Sequence, residues 1–212
     1  MTIGNIASVL ARRIQRGIIR SLFRGATHRL IQGLPVRLVT GSFEAEAAFD
    51  RIASGLALLA CYHPPILARL RRDAQGILVW ETESSSALAA WHFGVKLIIV
   101  DARFLFDRET TPAKIAATLA HEATHRRLDQ FGYPPEKRAR IEALCFRRER
   151  AFARRLPDSH ELVAEIERQL QRDPSYWADD AHAQRVVDEL AKRGVPGWLI
   201  QTIRRLSGRR AA

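Results

Sequence analysis

His121, Glu122 and His125 stand in the order H-E-x-x-H within residues 118–129, TLAHEATHRRLD. On a helix, residues four apart lie on one face, one turn above the other. The two histidines can therefore offer two imidazole nitrogens to one metal ion, and Glu122 leans toward the same open side. Zinc held by nitrogen and oxygen ligands, with one position open, lowers the pKa of its water to about 7. A carboxylate beside that water can take its proton as it attacks a carbonyl carbon. The three residues have the types and the spacing for metal-assisted hydrolysis.

That chemistry requires the motif to sit inside a helix. Thr111-Pro112 supplies a start, with Thr111 as N-cap and Pro at the first helical position. Ile115, Leu119 and Leu128 form part of an apolar face, while Ala116, Ala117, Ala120 and Ala123 permit close approach of a neighbour. The next breakers are Gly132 and Pro134-Pro135, so the motif falls mid-helix.

On these residues the segment resembles the active-site helix of the zincin superfamily of zinc metallopeptidases. The metzincin branch continues the motif with Gly and a third His, but the corresponding positions here are Leu128 and Phe131. What remains resembles the gluzincin branch, in which a Glu on the following helix is the third ligand. The resemblance covers residues of about 95 to 157. It implies a small sheet beside the helix, an edge strand lining a cleft, a Zn2+ cofactor, and a peptide or protein substrate.

A second helix is expected from after the Gly132–Pro135 turn to about Leu156, before Pro157. Helices joined by so short a turn lie antiparallel. Counting outward from the turn brings Glu142 level with His121 and His125, and Glu149 two turns further along the same face. Glu142 is the expected third ligand. Glu149 is the expected partner that holds a ligating histidine, and the alternative ligand. Asp129 is a weaker candidate that reads as a helix-end residue. Cys145, one turn from Glu142, has the chemistry of a sulfur ligand but reads as a small core residue. The oxyanion of a hydrolytic transition state needs a donor. Tyr133, His160, Tyr176 and His182 are candidates, and no spacing singles one out.

The elements around these two helices read as α+β and mostly helical. Strands are expected within residues 33–41 (GLPVRLVTG), over 76–81 (GILVWE), over 87–93 and over 96–100 (KLIIV). One strand within 87–100 is the expected cleft edge, where an extended peptide can add as a further strand. Helices are expected over 43–60, 66–72, from Ser159 to about 171, over 179–193 and over 198–206. His63, in the break Tyr62-His63-Pro64-Pro65, reads as a turn residue. The organisation follows as a basic amphipathic helical extension over 1–32, a zincin-like metallopeptidase domain over 33–157, and a C-terminal helical extension over 158–212 packed on it.

The chain carries 34 Lys plus Arg against 23 Asp plus Glu, a net charge of +11. That balance suits an anionic partner, nucleic acid or membrane, and equally a coding bias toward Arg. Residues 1–43 hold seven Arg and no acid. Ile6, Leu10, Ile14, Ile18 and Leu22 recur every four residues beside Arg13, Arg16, Arg20 and Arg24. This is a cationic amphipathic helix. It is open to membrane-surface or nucleic-acid contact, to an organelle presequence, or to packing its apolar side on the domain. No secretory signal or run of 18 apolar residues is apparent, so no membrane span is expected. Two cysteines make no disulfide framework and suit a reducing compartment, the cytoplasm.

Three functions compete. One is a zinc-dependent peptidase in which Glu122 is the general base and His121, His125 and Glu142 are the ligands. The second is a zincin-like zinc-binding regulatory or interaction module without protease activity. The third is a nucleic-acid- or membrane-associated protein with the basic N-terminal helix as its working part, a role that can coexist with the first.

Overall fold

The computed structural model describes residues 17–192 and 197, apart from 18, 20, 22, 24, 40–42, 82–87, 130 and 132–133. It is α+β, built on a small mixed sheet of order β1-β2-β3-β5-β4. The strands are β1 (Thr27–Ile31), β2 (Leu34–Val39), β3 (Gly76–Trp80), β4 (Ala89–His92) and β5 (Leu97–Asp101). The central strands β2, β3 and β5 run parallel, and β1 and β4 lie antiparallel at the two edges. Buried on both faces, β3 and β5 are the continuous apolar runs GILVW and LIIVD, as parallel strands require.

One face of the sheet is covered by α1 (Ala45–Tyr62) and α4 (Pro112–Asp129), with α2 (Pro64–Asp73) and α3 (Ala102–Phe106) beside them. Phe49, Ile52, Leu56 and Leu59 of α1 meet Ile115, Ala116, Leu119 and Ala120 of α4 in one core with Ile77, Val79, Ile98 and Val100 of the sheet. The alanines of α4 serve as anticipated. The crossing is so close that a Cβ on Gly55 would stand 2.6 Å from Cγ2 of Ile115. The Thr111 hydroxyl accepts the Lys114 N–H at 3.2 Å and caps α4.

The other face carries a smaller cluster of Ile19, Leu78, Val95 and Leu97, with Phe23 packed against it. Residues 17, 19, 21, 23 and 25 are helical, and of these Ile19 and Phe23 pack on the domain. The stripe Ile6, Leu10, Ile14, Ile18 and Leu22 lies outside the described residues, as do the four arginines beside it and the helix expected over 198–206.

One boundary needs correction. The helical extension expected over 1–32 ends earlier, because residues 27–31 form β1. This strand pairs with β2 in a hairpin whose two loop residues, Gln32 and Gly33, both have positive φ (49° and 74°). That geometry matches the twist of the flanking strands. Between β5 and α4 lies the short α3, capped by the Asp101 carboxylate accepting the Arg103 N–H at 2.9 Å.

After α4 the chain makes a 3-10 turn (Pro135–Lys137) and returns as α5 (Arg138–Ala153). The segment beyond Pro157 follows as α6 (His160–Leu170), a 3-10 turn (Pro174–Trp177) and α7 (Asp179–Lys192). Both α6 and the second 3-10 turn pack on α5. Among the described residues, no helix is long and apolar enough to cross a membrane.

Candidate metal centre

His121 and His125 project from α4 onto α5, and both are buried. Their Nε2 atoms stand 3.0 Å apart. From α5, Oε2 of Glu142 lies 3.5 Å from each of them. Two turns along, Oε2 of Glu149 lies 2.8 Å from Nδ1 of His121. The earlier histidine thus meets the later glutamate, the antiparallel register expected from the short turn. Arg138 approaches the other oxygen of Glu142, with its Nε 4.0 Å away.

Burial and charge shape these groups strongly. Burial alone would push His121 down, but its bonds to Glu142 and Glu149 carry it well above the usual imidazole value. Burial would likewise raise Glu142, yet the two histidines hold it far below the carboxylate range. Glu149 is raised, because burial outweighs its bond to His121. Burial, reinforced by Glu142, Glu122 and Glu149, pushes the Cys145 thiol far up and keeps it neutral.

His121, His125 and Cys145 form a buried group whose ligand atoms all lie within 4.8 Å of one another, and it could hold a metal ion. Cys145 is therefore both the core residue expected and a neighbour of the histidine pair. Its position on α5, one turn from Glu142, was the available signal.

Glu122 faces the sheet. Its Oε2 accepts the backbone N–H of Trp91 at 2.5 Å, so the edge strand β4 positions this carboxylate. Trp91 is in turn covered by the Arg126 guanidinium, 5.7 Å from the ring centre. Behind His121, Phe146 packs edge-on at 4.6 Å, and Trp177 packs on Phe146 at 5.1 Å. The C-terminal helical segment thereby contributes an aromatic wall to the centre.

The remaining candidates are scattered. Asp129 is the last residue of α4, as anticipated. His160 is exposed at the start of α6. Tyr176 lies between Arg172 and Arg185, whose guanidinium carbons sit 4.2 and 4.0 Å from its ring centre. Tyr133 and the side chain of His182 lie outside the described residues.

Comparison of the chain with protein-family models, curated protein sequences and solved structures gave no match.

Proposed function

We propose that the chain is a zinc-dependent metallopeptidase of the zincin type, with His121, His125 and Glu142 as ligands and Glu122 as general base. The observation that carries this reading is the triangle of two Nε2 atoms and one Oε2, with edges of 3.0, 3.5 and 3.5 Å. Ligands about 2.0–2.1 Å from a tetrahedral zinc stand about 3.3 Å apart, so the donors fit three corners around one ion.

Zinc bound there would act as a Lewis acid, acidifying water and polarising a substrate carbonyl. The protein supplies the rest. Glu149 holds Nδ1 of His121, which fixes the tautomer that turns an Nε2 lone pair toward the ion. Glu122 takes the proton from the attacking water and returns it to the leaving amine. Its bond to Trp91 ties that proton acceptor to β4, the free edge on which an extended peptide can lie. Phe146 and Trp177 exclude water and strengthen the charge interactions inside.

The test is hydrolysis of an unfolded protein such as reduced casein by the zinc-loaded chain. Glu122→Gln should retain zinc and lose at least about a hundredfold in rate. Equal activity in the variant would sink the assignment.

Cys145 favours a second reading, a zinc-binding module without protease activity. A thiolate from Cys145 joining the two histidines and Glu142 would close a four-ligand structural site. Cobalt substitution separates the two, since cobalt–thiolate coordination gives an intense near-ultraviolet charge-transfer band that a His-His-Glu site lacks. In either reading a reducing, cytoplasmic setting suits the free cysteines Cys61 and Cys145. The basic N-terminal segment offers contact with anionic nucleic acid or membrane.

A further inference from the structure

On another side of α4, a cavity of about 190 Å³ opens between α2, α4 and α5. Four arginines line it, the half-buried Arg69 and the exposed Arg127, Arg148 and Arg155, together with His63 and the buried Phe152. No carboxylate is among the lining residues. Among the described residues, Arg127, Arg148 and Arg155 form no ion pair. Arg69 gives its Nε–H to the Pro65 carbonyl.

Such an arrangement is costly without a counter-ion. Four like charges around one concavity repel, and an anion between them would relieve that repulsion. The repulsion registers on the groups themselves. Burial lowers the basicity of Arg69, and Arg127, Arg148 and Arg72 lower it further, against an opposing pull from Asp73. Burial also depresses His63, and Arg155, Arg69 and Arg148 add to the effect. An ordinary solvated face of arginines lacks the concavity.

We infer that this cavity is a binding site for a compact, multiply charged phosphate-bearing anion, separate from the metal centre. Guanidinium forks match phosphate oxygens in bidentate pairs. The cavity shares α4 and α5 with the metal centre. Ala123, Thr124 and Arg127 line it between and beyond His121 and His125, and Arg148 precedes Glu149.

Calorimetric titration with tripolyphosphate at low salt tests the site. The native chain should bind one equivalent saturably. Arg148→Gln and Arg155→Gln should each weaken binding about ten- to a hundredfold, the loss expected of one charge-assisted contact. Arg108→Gln, which removes an exposed arginine elsewhere, should change it less than twofold, with melting temperature and zinc content held in all three. Inorganic phosphate in parallel distinguishes a single phosphate group from a polyphosphate as the preferred source. Three results would overturn the inference: no saturable binding, equal loss in Arg108→Gln, or full affinity in both cavity variants, as coordination to the zinc would give. A single-stranded oligonucleotide that binds and is not displaced by tripolyphosphate would also overturn it, in favour of a diffuse basic surface.

Discussion

The carboxylate of Glu149 sits 2.8 Å from the Nδ1 of His121, on the side of the ring away from His125 and Glu142. One imidazole thus lies between two carboxylates from the same helix, Glu142 beside its Nε2 and Glu149 beside its Nδ1. Removing the outer carboxylate should loosen the inner ligand without deleting it. Glu149→Leu should keep zinc but bind it about 10–100-fold more weakly, and Glu149→Gln, which still offers an acceptor oxygen, should lose less. Competition with a chromophoric chelator measures both. Unchanged affinity in Glu149→Leu would show that the bond does not support the ligand.

Metal affinity should depend on pH through His121. In the metal-free chain its folded pKa lies well above 6.5. The bound proton therefore contributes stability that is complete below the unfolded value and lost as pH rises through the folded one. Zinc must displace that proton. Affinity should accordingly keep rising above pH 6.5 instead of levelling there, as it would for an ordinary histidine. Zinc dissociation constants from pH 6 to 8.5 follow the effect, and a plateau beginning at pH 6.5 would contradict it.

The two cysteines should react very differently. Cys61 is exposed, whereas Cys145 is buried and its thiol is held neutral. The thiolate is the reactive form. Titration of the zinc-free native chain with a thiol reagent should release one equivalent fast and the second only on unfolding. Two equally fast thiols would mean that the centre is open.

Gly55 should resist substitution. An added methyl would meet the β-branched, stiff Ile115 at 2.6 Å and the Ala116 nitrogen at 3.3 Å. Alanine gains about 1 kcal/mol of helix propensity over glycine, but overpacking costs about 1–3 kcal/mol. Gly55→Ala should therefore destabilise, and Ile115→Ala in the same chain should recover part of the loss. A double-mutant cycle by urea unfolding measures the coupling. Strict additivity would place the two residues out of contact.

The parts of the centre legible in the sequence are those fixed by helix geometry. His121 and His125 share a face by spacing alone, and counting back from the Gly132–Pro135 turn brought Glu142 and Glu149 to the right levels. Strands β3, β4 and β5 were legible because apolar or β-branched runs are bounded by Gly and polar turns. Strand β1 was hidden because its first four residues, Thr27 to Leu30, are exposed. With one edge paired and its side chains in solvent, it owes its form to β2 and to the Gln32-Gly33 turn. The bond from Glu122 to Trp91 and the arginine cavity were illegible for a different reason. Each depends on side chains far apart in sequence, brought together only by the packing of α4 on the sheet and on α2.

The most direct measurement is the zinc content of the purified chain beside Glu142→Ala. One zinc per chain, lost or greatly weakened in the variant, is the predicted result for a centre held by His121, His125 and Glu142. Full zinc retained in Glu142→Ala, or none bound by the native chain after zinc is supplied, would contradict it.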